Sequence, residues 1–373
     1  MLLKGVKVLD MSNLLPGPMC SLFLADLGAE VIKIENLDGD PMRGLGSIKS
    51  QSPYFKSLNR NKKSMTLNLK TDYGKRIFMQ LANDADVIIE GFRPGKIDSL
   101  GIGYKDVKKI NPEVIYCSIT GYGQSGPYRD KAGHDLNYAA LSGLLELIAR
   151  KPHVPGIQIA DVGSSLIAAF SIVASLYYRK MSGKGNYIDV SVLCGTLALI
   201  GMHVAQRSVS SNSNTFLSGS QACYNIYITK DNKFVSIAAV EGKFWNAFCN
   251  AIKKEDLLDM QFSSNPHVIK HMINIFKGKT LKEWIDLNGK YDFCCEPVKN
   301  LNEVFNDQNF KSRKTIIRLD NLKQVAMPVL FSSVKKLNYK KAPRLGQHTS
   351  DILETLGYNK KQIDDLKKDM VIL

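Results

Sequence analysis

Three residues of this 373-residue chain have the types and settings that acid-base chemistry at carbon needs. They are His134 in Gly133-His134-Asp135-Leu136-Asn137-Tyr138, Asp161 in Ile159-Ala160-Asp161-Val162-Gly163, and Glu241 in Val240-Glu241-Gly242-Lys243-Phe244-Trp245. Moving protons at carbon requires groups that can take up and return a proton. A histidine and a carboxylate can do this near neutral pH. Taken singly, each residue has a plainer reading. His134 sits on a turn entering a helix, where a lone histidine is more often structural. Asp161 reads as the N-cap of the helix that follows, and Glu241 as the start of another. A carboxylate at a helix start also has backbone N–H groups nearby that would hold a developing oxyanion.

The elements that must position these residues are those of a folded protein with more than one core. Hydrophobic residues make up 44% of the chain and charged residues 23%, an ordinary balance for a globular protein. The formal charge is +15, but 39 of the 50 basic residues are lysines spread along the whole chain. Without a basic stripe interleaved with aromatics, a nucleic-acid partner is not expected. A polyanionic small molecule accounts better for local basic clusters.

Seven cysteines (Cys20, Cys117, Cys194, Cys223, Cys249, Cys294, Cys295) are odd in number and lack metal-ligand spacing. They read as small buried residues of a reducing compartment, so neither a disulfide framework nor a metal site is expected. The start of the chain has charges at Lys4 and Lys7, where a signal peptide needs an unbroken apolar core. The longest apolar stretches, Leu166 to Tyr178 and Val192 to Val204, fall short of the ~20 residues of a membrane span. A cytoplasmic protein without membrane insertion is expected.

The first half alternates strand and helix signals. Val6 to Leu9 is strand-like, Pro16-Gly17-Pro18 reads as a turn, Met19 to Leu27 has helical spacing, and Val31 to Ile34 is a second strand. Tyr73 to Asn83 reads as an amphipathic helix, and Val87 to Glu90 and Val114 to Ser118 as strands. This alternation predicts an α/β fold with a parallel sheet covered by helices on both faces. Ser164 to Lys180 is a long apolar helix with Asp161 just before its start, and Tyr187 to Leu193 returns as a strand. The serine-rich run Ser208 to Ser213 looks like a linker. Beyond it, Ala222 to Ala239 reads as a hairpin turning at Asp231-Asn232, followed by helices holding Trp245 and Trp284. A final helix follows the tail around Ala342 to Thr349.

The first βαβ unit lacks the G-x-G-x-x-G glycines of a dinucleotide site, so NAD is not expected. Anion recognition has candidates in Asn59-Arg60-Asn61-Lys62-Lys63, Lys70 and Gly91-Phe92-Arg93-Pro94-Gly95. There glycine permits close backbone approach and arginine can bind phosphate oxygens bidentately. Composition alone makes Lys62 and Lys63 solvated surface charges and leaves Arg93 evenly balanced between the two readings.

Several segments together resemble the α-methylacyl-CoA racemases of the family III CoA-transferase superfamily, from about residue 3 to about residue 350. They are Leu15 to Pro18, Ala25 to Val31, Glu90 to Gly95, Thr120 to Pro127, Gly133 to Tyr138 and Ser182 to Gly185. Most mark the superfamily; the Gly-His-Asp-Leu-Asn-Tyr segment is the one that looks like a racemase. The resemblance implies a Rossmann-like large domain plus a smaller α+β domain, in an interlocked homodimer. On that reading, residues 1–190 form the CoA-binding domain, 191–221 a linker, 222–325 the small domain, and 326–373 a return segment and C-terminal helix packing on the large domain.

By the same resemblance the substrate is an acyl-CoA thioester and no cofactor is needed. CoA would be held near Asn36, near Leu67, Asn68, Leu69 and Lys70, near Gly91, Phe92 and Arg93, and near Gly133, Asp135, Leu136, Asn137 and Tyr138. His134 and Asp161 would be the proton-transfer groups, and Glu241 would orient His134. The reaction implied is epimerisation at the 2-position of a 2-methylacyl-CoA in lipid metabolism. The alternative is a CoA-transferase with Asp161 as nucleophile. Two departures stand out. Asn36 and Ser99 replace basic residues that often clamp CoA phosphates, which shifts the expected clamp to Arg43, Arg60 or neighbouring lysines. Gly163-Ser164-Ser165 replaces a glycine-rich stretch, so its side chains are expected to narrow the site or offer hydroxyl donors.

Overall fold

Six strands form one parallel sheet: β1 Lys7–Asp10, β2 Glu30–Glu35, β3 Lys63–Thr66, β4 Val87–Glu90, β5 Ile115–Thr120 and β6 Asn186–Ser191. Their order is β3-β2-β1-β4-β5-β6, so the chain reverses direction across the sheet between β1 and β4, where ligands bind in such folds. The computed structural model describes residues 1–46, 52–148, 151–210, 217–334 and 337–373. β4 and β5 are buried along their whole length, and continuous apolar runs are what strands covered on both faces require.

One face packs Met65, Ile77, Phe78, Ile88 and Tyr116 with Ile352 and Leu366 of the C-terminal helices. The other packs Val8, Leu24, Val87, Ile115 and Cys117 against Ala168 and Ile172 of the helix Ile159–Ser182. The α/β fold with a parallel sheet covered on both faces that the sequence predicts is thus the one found. Pro16-Gly17-Pro18, read as a turn, instead begins the helix Pro16–Asp26. Proline at the first helical positions forgoes only N–H groups that would be unpaired there anyway. A Cβ at Gly17 would collide with Ser12, so glycine is needed where this helix crosses the loop after β1.

The chain divides into Met1–Ile200 with Arg313–Leu373, and Gly201–Ser312. The expected limits differ: the helix Val192–Leu199 belongs to the first unit, with Val192 and Ile200 buried in its core. The hairpin of β10 Ile316–Leu319 and β11 Leu322–Val325 also belongs there, and Arg60 donates to Gln324 of β11 at 3.4 Å. Ser208 and Val209 end a helix, while residues 211–213 of the expected linker lie outside the described residues.

The second unit holds the predicted hairpin, β7 Tyr224–Ile228 and β8 Phe234–Ala238, extended by β9 Cys295–Pro297. Asn232 takes the left-handed φ of 56° that the turn needs. Its core centres on Trp245, Phe248, Phe276 and Trp284.

In the first unit the outer edge of β3 is covered by the end of the chain. Ser64 exchanges bonds with His348, donating to Nδ1 at 3.1 Å and accepting the His348 N–H at 2.9 Å. The Thr66 N–H donates to Thr349 Oγ1. A free strand edge is a template for pairing with other chains, and here the return segment occupies it. Two helices, Thr349–Thr355 and Lys360–Lys368, then replace the single final helix expected.

Candidate active site

The carboxyl ends of the parallel strands share one rim, and the residues assigned to CoA follow them. Asn36 is exposed after β2, Leu67 to Lys70 follow β3, and Gly91 to Arg93 follow β4. Acids near the ends of these strands tie down the loops beyond. Asp10 accepts the Ser12 N–H at 3.0 Å, Glu35 the Asp40 N–H at 3.1 Å, Glu90 the Phe92 N–H at 2.7 Å, and Asp189 the Gln124 N–H at 3.0 Å. A rim preorganised this way needs little rearrangement to receive a ligand.

His134 is the exposed N-cap residue of the helix Asp135–Leu141, with extended φ and ψ of −131° and 174°. Its N–H donates to Asn137 Oδ1 at 3.0 Å, so Asn137, assigned to CoA, has a local bond to make. Tyr138 is buried, and its hydroxyl donates to the Gly133 carbonyl at 2.6 Å. It packs edge-on against Tyr122. A Cβ on Gly133 would sit 2.7 Å from the Tyr122 hydroxyl, so only glycine allows the chain to pass these rings and present His134.

Asp161 does not precede its helix as the sequence suggested. It is the third residue of Ile159–Ser182, whose N-cap is Gln158 without a side-chain cap bond. The cap comes from Asp135, whose Oδ1 accepts the N–H groups of Ala160 at 2.8 Å and Asp161 at 3.1 Å. Two N–H groups expected to hold an oxyanion are therefore already engaged. Burial, then the Asp135 charge, push the Asp161 carboxyl up to about 7. Tyr138 senses the same surroundings: burial, then Asp161, raise its hydroxyl to about 12.

Ser164 and Ser165 do not narrow the site. Both are buried, and their hydroxyls donate to the carbonyls of Ala160 at 2.8 Å and Asp161 at 2.6 Å.

Glu241 lies in the second unit, exposed at the N-cap of the helix Gly242–Ile252, and its side chain makes no capping bond. Gln261 donates to the carbonyls of Ala239 and Val240, fixing the approach to it.

The expected phosphate clamp is corrected. Arg43 is held bidentately by Glu35, with both bonds at 2.7 Å, and Arg60 by Asp26 at 3.1 and 2.6 Å. Lys62, read as a surface charge, is buried and bonded to Asp10, the Pro18 carbonyl and Asn59. These cations stabilise the rim from beneath. Exposed cations beside the Gly91 to Gly95 turn include Arg93, Lys96 and Arg129. The Arg129 guanidinium lies 3.2 Å from where a Cβ on Gly95 would stand. Lys131 follows, its ammonium 3.8 Å from the Tyr128 ring centroid. The pairing of Arg129 with Gly95 depends on a loop crossing that no local motif announces.

Leu67 is buried, leaving only its backbone to meet a ligand, and its N–H donates to the Glu35 carbonyl. Asn68 is bonded through its backbone to Val371 and through its side chain to Met370. Leu69 and Phe92 pack half-buried on the core, while Lys70, Gly91 and Leu136 are exposed.

The family described as CoA-transferase family III matches residues 3–349. Succinyl-CoA:glutarate CoA-transferase of Mus musculus is 33% identical, over 98% of this chain and 88% of its own length. Alpha-methylacyl-CoA racemase of Homo sapiens is 32% identical over 100% of this chain and 98% of its own. A solved CAIB/BAIF family protein from Brucella suis superposes with a TM-score of 0.83 at 28% identity, covering 95% of this chain and 99% of that one. The parallel sheet, the rim of loops and these matches make the chain a member of the family III CoA-transferases.

Proposed function

We propose that this enzyme is an α-methylacyl-CoA racemase, epimerising the 2-position of a 2-methylacyl-CoA through two-base proton transfer. The observation that carries the reading is the Asp161 carboxyl at about 7. A carboxyl poised there exchanges its proton near neutral pH, as a general acid-base requires. A nucleophile would act only from the ionised fraction of this group.

In one direction neutral His134 removes the C2 proton and the electron pair moves into the thioester as an enolate. Protonated Asp161 then delivers its proton to the opposite face. The enzyme is left with imidazolium and carboxylate, which run the reverse direction. Glu241, free of a capping role, would be the third group of the set, the one to which the resemblance gives an orienting role. CoA would lie along the rim at Asn36, the 67–70 turn, Gly91 to Arg93 and Gly133 to Tyr138, with Arg93, Arg129 and Lys131 meeting its phosphates. No cofactor enters this scheme, since CoA is part of the substrate.

The chain would act in the cytoplasm as an interlocked homodimer. Support comes from the helix Ile159–Ser182, which exposes Leu166, Phe170, Val173, Tyr177 and Met181 along one face. By length and composition it is also the one helix among the described residues that could cross a membrane. Its opposite face packs in the core of the first unit, which favours a protein partner over lipid.

The second reading, CoA transfer with Asp161 as nucleophile, has support in the relative named a CoA-transferase at 33% identity. Proton NMR of the purified protein with (R)- and then (S)-2-methylacyl-CoA in heavy water, without acceptor acid, separates the two. Loss of the α-proton signal with appearance of the other epimer is the expected result. Retention of that proton, with CoA transfer once a carboxylic acid is added, would overturn the racemase reading.

A further inference from the structure

Glu90 ends β4 at the reversal point of the sheet, directly before the Gly91-Phe92-Arg93 turn, and is 1% exposed. Its Oε2 accepts the Phe92 N–H at 2.7 Å. Its second support is the Ser118 hydroxyl, on the strand residue paired with it. Ser118 Oγ in turn accepts the Tyr187 hydroxyl at 3.2 Å, and Tyr187 stacks on Tyr104 at 4.9 Å. Other buried acids at this rim have cations: Asp10 has Lys62, and Glu35 has Arg43. Glu90 has no ion pair among the described residues. Groups that interact with its charge include Asp98, Asp189, Tyr116, Tyr187 and Cys117, none of these cationic.

An unpaired carboxylate in a buried strand is costly, and a neutral side chain of the same shape would hold the fold at least as well. What the charge adds is a charge-assisted bond to one backbone N–H, shorter and stronger than a neutral one. That N–H belongs to the middle residue of the turn assigned to CoA. We propose that Glu90 is a positioning residue whose ionised carboxylate holds the Gly91-Phe92-Arg93 turn in its ligand-binding geometry. This rests on the reading of the rim as an acyl-CoA site and deepens it. Phe92 is half-buried on the core, so the bond at its N–H and the packing of its ring together aim Arg93 outward. Burial, offset in part by Ser118 and the Phe92 N–H and reinforced by Asp98 and Asp189, pushes the Glu90 carboxyl up to about 7. The turn therefore loses its charged anchor as pH falls through neutrality, and CoA affinity falls with it.

The test is calorimetric titration of full-length protein with coenzyme A from about pH 6 to about pH 8, in wild type and Glu90→Gln. Titration of the ligand's own phosphates is common to both proteins and cancels in their ratio. Glu90→Gln keeps an acceptor without the charge, so the wild-type advantage should grow about three- to tenfold across this range. Amide hydrogen exchange at Phe92, corrected for intrinsic rates, should be faster in wild type near pH 6 than near pH 8. That readout needs no variant. Parallel pH profiles for the two proteins, or corrected Phe92 exchange independent of pH, would overturn the positioning role while leaving the acyl-CoA reading intact. A wild-type chain that binds no CoA at any pH would overturn both.

Discussion

Asp135 and Asp161 are joined by a hydrogen bond in which the Asp161 N–H donates 3.1 Å to Asp135 Oδ1. The residue after His134 thereby caps the helix that holds the other proposed proton-transfer group. One carboxylate fixes both the spacing of the pair and the field at Asp161.

Those two effects can be separated. Asp135→Ala removes cap and charge and should cost about 0.5–2 kcal/mol of stability, measured by denaturant unfolding. Asp135→Asn keeps an acceptor, so most of that stability should remain. Both variants should lower the Asp161 carboxyl from about 7, because Asp135 contributes to raising it. The pH profile of α-proton exchange should shift to lower pH in both, and an unmoved profile would contradict the coupling.

Asp161 itself links stability to pH. Its carboxyl is raised from 3.8 to about 7, so the folded state binds a proton that the unfolded state has released between those values. Stability is greatest below the lower value and falls as pH rises towards the upper one. Asp161→Asn has no such cost and should be more stable than wild type near pH 8 by on the order of 2–4 kcal/mol, while proton exchange is lost. Thermal unfolding of both proteins across this range checks the sign.

Lys62 is a structural cation beneath the rim. Burial alone would raise the Asp10 carboxyl, but Lys62, Lys33 and the hydroxyls of Ser12 and Ser21 outweigh it and hold it at about 2. This carboxylate's stabilisation is present above its unfolded value of 3.8 and is lost as pH falls from there to about 2. Lys62→Met leaves Asp10 with less compensation and should cost roughly 3–5 kcal/mol. A variant within 1 kcal/mol of wild type in urea unfolding would show the pair to be dispensable.

Phe170, 74% exposed, stands in the apolar face of the helix Ile159–Ser182. Phe170→Glu should convert a dimer to monomer in sedimentation at micromolar protein, because a buried unpaired charge is costly at an interface. An unchanged sedimentation coefficient would place the contact elsewhere.

What the sequence made legible followed from local physics. Runs such as Val87 to Glu90 and Val114 to Ser118 read as strands because a sheet covered on both faces needs mostly apolar residues, and the strands found are Val87–Glu90 and Ile115–Thr120. His134 and Glu241 read as helix starts, and both are N-cap residues. What escaped depends on partners distant in sequence. Lys62 looks like one of two surface lysines, yet Lys63 is exposed beside Glu30 while Lys62 is buried against Asp10, 52 residues away. Asp161 resembles an N-cap because the true cap, Asp135, lies 26 residues earlier. In the sequence Glu90 stands out only as part of the Glu90 to Gly95 segment. An acid closing a buried apolar strand just before glycine was the available signal.

The cover on β3 also sets an order of events during synthesis. β3 is complete by Thr66, but its partners at Ser64 and Thr66 are His348 and Thr349, supplied almost 300 residues later. All of Gly201–Ser312 emerges from the ribosome first. Throughout that interval the nascent polypeptide presents an unpaired β edge, the feature that invites association between chains. Residues 346–349 thus act as a built-in chaperone for the sheet, and a chain ending before residue 346 would be left open to aggregation.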